Sequence, residues 1–477
     1  MMSNSTKLSA RDRIVTLLDD NSFVEIGSLV TKRNTDFNLL AKEAPTDGVI
    51  TGYGVINGAP VYVYSQDASV LAGTIGEMHA KKIAKVYELA MKCGTPVIGL
   101  IDCAGLRLEE ATDALEGLGE IMASQAMASG LIPQIMAVFG SCGGGLGVAA
   151  GMCDFVFATK AGKLFVNAPN TIKDNNESKC DTAAADFKAA CGEIDYVGED
   201  DVDVLNAVRG LVSLIPACNE DEAVAVECTD DLNRETPELT SVIADGAKAA
   251  AVLADDGSFF EIKKNFAKHM ATGFIQLDGA TVGVVANRSA IIGDDGKAAD
   301  KFDAVLTIDG CAKATEFINF CDAFNIPVLS LTNVEGFCTC MEGEKKMATA
   351  AAKLAAAFAN ATVPKVNLIT GSAIGSAYTI MNSKSMGADM VFALDGAKVG
   401  PMKADLAAQI IAADGDKNAK DEAKKVIEAQ LSVEAAAKRG YVDSIIDAAA
   451  ARKNVVYAFE MLYLKDEGRP DKKHTTI

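Results

Sequence analysis

The sequence predicts an α/β chain made of two similar domains in tandem, each with a largely parallel sheet. The chain repeats itself. Pro133 and Pro364 lie 231 residues apart (364 less 133), and the same offset pairs Gly140 with Gly371, Ser141 with Ser372, Gly144 with Gly375, Pro96-Val97 with Pro327-Val328, Leu100 with Leu331 and Gly105 with Gly336. Further upstream, Asp19–Ile26 ("DDNSFVEI") answers Asp255–Ile262 ("DDGSFFEI"), and Thr51-Gly52 answers Thr272-Gly273. This period is far too long for a solenoid, so each copy is a whole domain. Within each copy short apolar runs alternate with helical spacing, the pattern of strands joined by helical crossovers.

In the first copy Pro60–Asp67, Pro96–Gly105 and Pro133–Ser141 are β-like runs ending in turn residues. Between them Ile75–Gly94 and Leu115–Gly130 have helical spacing and stop at glycines. The second copy repeats the plan. Thr281–Ser289, Ile326–Gly336 and Val363–Ser372 are the strands, and Lys346–Ala361 is an alanine-rich helix. The acidic stretches "GEDDVD" and "CNEDEAVAVECTDDLNRETPE" read as solvated linker. The second one sets the boundary, giving domains 1–228 and 229–477.

Each domain is long enough to bury a core without staples. Composition is that of an ordinary globular enzyme, 49% hydrophobic and 23% charged. A formal net charge of −20 repels a phosphate backbone and argues against nucleic-acid binding. It still permits a small anion at a helix N-terminus or local basic patch. No apolar run approaches the roughly 18 residues of a membrane span. The opening "MMSNSTKLSARDR" has no apolar core and does not read as a signal peptide, so a cytoplasmic location is expected. Twelve cysteines include no CxxC pair, and Cys338-Thr339-Cys340 comes nearest. Zinc and iron–sulfur spacings are absent, and no metal site is expected.

Ligands in such sheets bind at the C-terminal strand ends. The turns there are Asp102–Arg107 and Gly140–Gly147, answered by Asn333–Phe337 and Gly371–Tyr378. Glycine after a strand lets backbone approach a ligand, and a following helix start leaves N–H groups unpaired. Two such groups around one oxygen make an oxyanion hole. A lone glycine turn more often only relieves sterics, but recurrence in both copies favours the pocket. The turns are neither a Walker A loop nor a dinucleotide fingerprint. Of the three histidines, His79 reads as structural, His269 heads the second copy and His474 lies in the tail. No catalytic triad order is present. Glu109 and Glu110 are either acid–base groups or helix-start caps. Two donor pockets with few proton shuttles point to enolate chemistry in which the ligand or cofactor moves the proton.

At this point the residues resemble a known family. "DGVITGYGVINGAPVYVYSQD", "GEMHAKKIAKVYELAMKCGTPVIGLIDCAGLR", "FINFCDAFNIPVLSLTNVEGF" and "AFANATVPKVNLITGSAIGSAYTIMNSK" resemble the carboxyltransferase subunit of biotin-dependent acyl-CoA carboxylases and decarboxylases, of the propionyl-CoA carboxylase β and methylmalonyl-CoA decarboxylase α types. The resemblance runs nearly end to end and implies two tandem crotonase-like domains. It implies transfer of a carboxyl group between biotin on a separate carrier protein and a short acyl-CoA, acetyl- or propionyl-CoA to malonyl- or methylmalonyl-CoA or the reverse. The biotin nitrogen takes the α-proton, and two backbone oxyanion holes hold the enolates.

By that resemblance Gly144, Gly145 and Leu146 cover the thioester oxygen, and Gly375, Ser376 and Ala377 the biotin oxygen. Ala104, Gly105, Leu106 and Arg107 line the CoA side. Gly336, Phe337, Cys338 and Thr339 line the biotin side, and Thr379 sits where acyl size is tuned. Implied partners are a biotinyl carrier protein and a biotin carboxylase or membrane decarboxylase subunit. A homo-oligomer is also implied, a dimer of shared sites within a hexamer. The chain departs from the family in Ser376 for glycine, in "NVEGFCTC" for a loop with two prolines, in Asp195 at a histidine's place and in the bulkier "AGLRLEEA" turn. The rival readings are a crotonase-type hydratase or isomerase using Glu109 or Glu110, and a non-catalytic scaffold paralogue.

Overall fold

A computed structural model describes residues 7–33, 43–413 and 417–470. They divide into two compact units between Glu222 and Ala223. The first unit carries strands β1 (Val24–Ile26), β2 (Val49–Ile56), β3 (Ala59–Gln66), β4 (Val97–Cys103), β5 (Gln134–Gly143), β6 (Phe155–Thr159), β7 (Lys163–Phe165) and β8 (Tyr196–Gly198). Its helices are α1 (Ala10–Leu17), α2 (Glu77–Cys93), α3 (Ala111–Ala128), α4 (Gly145–Ala150), α5 (Ala185–Ala190) and α6 (Asp201–Val212). The sheet order is β1-β2-β3-β4-β5-β6-β8, with β7 on β5. Pairing is antiparallel from β1 to β3 and parallel from β3 to β8.

The second unit opens with helices α7 (Leu239–Val242) and α8 (Gly246–Leu253). Its strands are β9 (Phe260–Ile262), β10 (Met270–Leu277), β11 (Ala280–Asn287), the small β12 (Ala290–Ile292) and β13 (Ala298–Lys301) pair, β14 (Val328–Val334), β15 (Lys365–Ile374), β16 (Met390–Leu394), β17 (Lys398–Gly400) and β18 (Ser444–Ile446). The remaining helices are α9 (Ile308–Ala323), α10 (Met341–Glu344), α11 (Met347–Asn360), α12 (Gly375–Ile380), α13 (Ala404–Ile411), α14 (Lys417–Gln430), α15 (Val433–Ala437) and α16 (Ala451–Leu462). Its sheet, β9-β10-β11-β14-β15-β16-β18 with β17 on β15, repeats the first strand for strand. In the first unit the core lies between the sheet and α2 and α3, with Ile83, Tyr87, Ile101, Ile121 and Val138 at its centre.

The repeated sequence signatures have structural reasons. Thr51 Oγ1 donates to the Ile26 carbonyl (2.7 Å), and Thr272 Oγ1 to the Ile262 carbonyl (3.2 Å). A Cβ at Gly52 would lie 2.2 Å from the Val24 oxygen, and one at Gly273 2.2 Å from the Phe260 oxygen, so only glycine lets the edge strands close. Asp19 accepts the Asn57 and Gly58 amides (3.1 and 3.0 Å), and Asp255 those of Asp278 and Gly279 (3.2 and 2.7 Å). Each carboxylate is also held by an arginine from a late helix at 2.7 Å, Arg209 on Asp19 and Arg452 on Asp255. Two buried lysines match at the 231 offset. Lys82 Nζ donates to the Thr46 (2.9 Å) and Val49 carbonyls, and Lys313 Nζ to those of Lys263, Phe266 and Met270 (2.8, 3.0 and 2.8 Å).

The sheets are largely parallel as expected, and their first strands add the β2–β3 and β10–β11 hairpins, which turn at Asn57-Gly58 and Asp278-Gly279, all four residues at positive φ. Two expectations change. The second acidic stretch is not free linker. The Val226 amide bonds the Gly279 carbonyl (3.0 Å), and Thr236 is buried with its hydroxyl on the Ala448 carbonyl (2.8 Å). "GEDDVD" is not a linker either, although Glu199 and Val202 are exposed. Asp200 caps α6 through the Asp203 amide (3.0 Å), and Asp201 is buried against Arg13 (3.0 Å).

Candidate active site

In both units the strand ends are tied by the same backbone bonds. The Ile75 amide bonds the Gly105 carbonyl (2.9 Å) and the Arg107 amide the Ile75 carbonyl (2.8 Å). In the second unit the Leu306 amide bonds Gly336 (2.9 Å) and the Cys338 amide bonds Leu306 (2.8 Å). The repeated Gly140 and Gly371 make room for a polar side chain on the neighbouring strand. A Cβ at Gly140 would lie 1.9 Å from Asp102 Oδ1, and one at Gly371 2.6 Å from Asn333 Oδ1. Asn333 Oδ1 accepts the Ser372 amide (2.9 Å), and the Asn333 amide bonds Asn287 Oδ1 (3.0 Å), pinning the ends of β14 and β15.

Beyond those ends the chain turns sharply into a short helix, at Gly144 with φ 64° and at Gly375 with φ 72°. A side chain at either would be strained. The first amides of a helix have no intrahelical acceptor. In α4 these include Gly145 and Leu146, and in α12 Gly375, Ser376 and Ala377. Gly144 is a correction. Its amide is engaged by the Phe165 carbonyl at 2.9 Å, so it shapes the turn and donates nothing outward. Ser376 is exposed, Ala377 buried, and Gly375 and Thr379 half-buried.

On the β4 side Ala104 is exposed and Gly105 and Leu106 are half-buried. Arg107 is a second correction, because only 1% of it is exposed. Its guanidinium bonds Asp47 Oδ1 (2.6 Å), Glu110 Oε1 (2.8 Å) and the Thr74 carbonyl (2.8 Å), so it faces the fold and not a ligand. Burial pushes the Asp47 carboxyl up, and the Arg107 charge opposes that shift. Glu110, weighed as an acid–base group, is buried on Arg107 and also accepts the Glu77 amide (2.7 Å), capping α2. Glu109 is half-buried.

On the β14 side Gly336, Phe337 and Cys338 are half-buried and Thr339 is exposed. Glu335 and Ser372 lie in turns that the sequence marked without giving either a role, and Lys403 went unmarked. They line a cavity of about 510 Å³ with Ile374, Lys398 and Ser432. Lys403 Nζ lies 2.5 Å from Glu335 Oε2, and Ser372 Oγ donates to Glu335 Oε1 at 3.3 Å. Ser372 was visible as the partner of Ser141 and Glu335 as the neighbour of Gly336, whereas Lys403 had no signature.

The other candidates are structural. His79 is fully buried, with Nδ1 2.9 Å from the Asp47 carbonyl and Nε2 3.2 Å from Gln66 Nε2, and burial pushes its pKa down to about 3. His269 contacts the Thr307 hydroxyl that caps α9. His474 lies outside the described residues. Asp195 accepts the Val156 amide (2.6 Å), as Asp443 accepts the Val391 amide (2.9 Å), which marks it as a repeated strand-end cap. Among the described residues no group of three or more His, Cys, Asp or Glu is placed to hold a metal, and no helix is long and apolar enough to cross a membrane.

Residues 3–477 match the carboxyl transferase domain family. The chain belongs to this family. The carboxyltransferase is 39% identical to the propionyl-CoA carboxylase beta chain of Roseobacter denitrificans, covering 99% of this chain and 94% of that one. It is 36% identical to the methylmalonyl-CoA decarboxylase subunit alpha of Propionigenium modestum, covering 99% and 93%. The crystal structure of the transcarboxylase 12S hexamer with methylmalonyl-coenzyme A bound matches with a TM-score of 0.91 at 33% identity, covering 98% of this chain and 92% of that one. The fold is thus α/β with two tandem crotonase-like carboxyltransferase domains.

Proposed function

We propose that this carboxyltransferase moves a carboxyl group between biotin on a separate carrier protein and a short acyl-CoA, in either direction, through two backbone oxyanion holes. One observation carries the reading. Both domains end a central strand in a positive-φ glycine and then a helix start, with the two glycines 231 residues apart. One holds the thioester oxygen through the Gly145 and Leu146 amides, with Gly144 as the turn. The other holds the biotin oxygen through Ser376 and Ala377, with Gly375 as the turn. The Ala104–Leu106 backbone lines the CoA side, Gly336–Thr339 the biotin side, and Thr379 adjusts acyl size.

The groups that would hold the biotin oxygen are the Ser376 and Ala377 amides, which the start of α12 leaves without intrahelical acceptors. The cavity of about 510 Å³ beside Ser372 and Ile374 falls in the roughly 300–1,000 Å³ range of small-molecule sites. Bound biotin supplies a nitrogen that carries the carboxyl group and accepts the α-proton. The chain's own work is then electrostatic, with amides fixed in advance where negative charge develops. That accords with Glu110, Arg107 and His79 all being tied up inside the first unit.

The names of the relatives support the propionyl-CoA/methylmalonyl-CoA pair as the acyl substrates. Being named a beta chain and a subunit alpha, the relatives also support partner subunits; the family resemblance implies that these are a biotin carboxylase or a membrane decarboxylase subunit beside the carrier. The hexamer of the 12S relative supports a homo-oligomer, and the family resemblance implies sites shared between its subunits. Twelve free thiols accord with a cytoplasmic location. The test is carboxyl transfer between biotinyl carrier and acetyl-, propionyl- or butyryl-CoA, followed with labelled bicarbonate-derived carboxyl. Transfer fastest with propionyl-CoA is expected, and no transfer in either direction with any chain length removes the reading.

A further inference from the structure

Cys338 and Cys340 lie two residues apart on one loop with their sulfurs in contact. Cys103, Cys142, Cys311 and Cys321 are buried, whereas this pair is half-buried and exposed on the loop between β14 and α10. The Cys338 thiol donates to Cys340 Sγ across 3.2 Å. Cys340 Sγ also accepts the Gly343 amide at 3.2 Å, capping α10. A Cβ at Gly343 would lie 3.1 Å from Cys340 Sγ and 3.5 Å from Cys338 Sγ, so that glycine leaves room for both sulfurs. The Cys338 thiol and the Gly343 amide both stabilise the Cys340 thiolate and hold it below the usual thiol range, while Cys338, as donor, is held above it. No third soft ligand joins them among the described residues, so the pair suits exchange chemistry better than metal binding.

We propose that Cys338 and Cys340 are a modification site for small-molecule disulfides, closing to an intraloop disulfide that slows carboxyl transfer. The slowing rests on the reading above that Gly336–Thr339 flanks the biotin side. The Cys340 thiolate attacks one sulfur of the small disulfide, forming a mixed disulfide and releasing one thiolate. Cys338 gives its proton to that thiolate, attacks Cys340 Sγ and expels the second thiolate. Two protein thiols are oxidised to one disulfide, and one small disulfide is reduced to two thiols. Residues two apart span at most about 7 Å, the upper edge of the roughly 4.4–6.8 Å that a disulfide allows. Closure replaces the 3.2 Å sulfur–sulfur contact with a covalent bond and weakens the sulfur cap on α10.

Glutathione disulfide is the probe, added to the full chain with the exposed Cys93 and Cys191 replaced by serine. Peptide mapping after thiol blocking should find the 338–340 segment short by two hydrogens, reversibly with dithiothreitol. Cys338→Ser should stall as a glutathione adduct on Cys340, and Cys340→Ser should react about tenfold more slowly. The oxidised protein should transfer carboxyl about fivefold more slowly than the reduced protein. That ratio should return to unity in Cys338→Ser/Cys340→Ser. Failure to form the disulfide in excess glutathione disulfide overturns the proposal, as does equal transfer by both redox states. The mass measurement needs no turnover. Transfer absent even from the reduced protein would instead remove the functional reading, and with it the claimed slowing.

Discussion

Ser376 is the residue at which this chain most directly tests its chemistry. If the backbone N–H is the donor, the side chain matters little, and Ser376→Gly should keep kcat within about threefold. Ser376→Pro removes the N–H at a helix position where proline is tolerated, and kcat should fall about 10²–10³-fold. Steady-state transfer kinetics of the two variants separate the cases. Arg107 makes the opposite prediction. Arg107→Ala leaves Asp47 and Glu110 buried without their cation, at a stability loss of about 3–5 kcal/mol in urea unfolding. KM for acyl-CoA should stay within about threefold, because the guanidinium is turned into the fold. His79 sets a pH dependence. Its folded pKa of about 3 lies below the ordinary 6.5, so the unfolded chain takes up a proton that the fold excludes. This contribution is whole above pH 6.5 and is lost as pH falls toward 3, by at most about 1.4 kcal/mol per unit. His79→Asn should flatten the decline in chemical denaturation between pH 7 and pH 4.5.

At the scale of elements, each sheet is closed by a hairpin turn, a carboxylate and an arginine from a late helix. The two locks differ in depth. Arg452 is fully buried between Asp255 and the Leu253 carbonyl, whereas Arg209 and Asp19 are partly exposed. Arg452→Ala should therefore cost about 3–5 kcal/mol. Arg209→Ala should cost clearly less, as compared by parallel urea unfolding. Much of this architecture was legible in the chain, because a 231-residue repeat of prolines and glycines marks the strand ends of two like sheets. The hairpins were legible too, in Asn57-Gly58 and Asp278-Gly279, yet a reading that began at Pro60 passed over their first strands. Arg107 misled for a physical reason. Its place on the CoA side came from the family resemblance, whereas its partner Asp47, distant in sequence, turns it into the fold. The pairing of Lys403 with Glu335 was illegible because only tertiary folding joins them.

At the scale of the whole molecule, the proposed sharing of sites between subunits can be tested by complementation. Gly145→Pro places proline at the first position of α4, where it is favoured, though Leu118 Cδ2 must give way. Mixed with Ser376→Pro through subunit exchange, it should recover up to about a quarter of wild-type transfer if each site draws on two chains. Light scattering should report an oligomer, and recovery without one would contradict sharing. Lys82 and Lys313 offer a different use of the duplication. Each ammonium is wrapped by main-chain carbonyls inside its own domain, and burial pulls the Lys82 pKa down to about 8. An amine-selective reagent can reach either one only when that domain opens. Pulse labelling read by mass spectrometry would then time the breathing of the two halves independently, with native stopwatches at matched positions and no probe introduced.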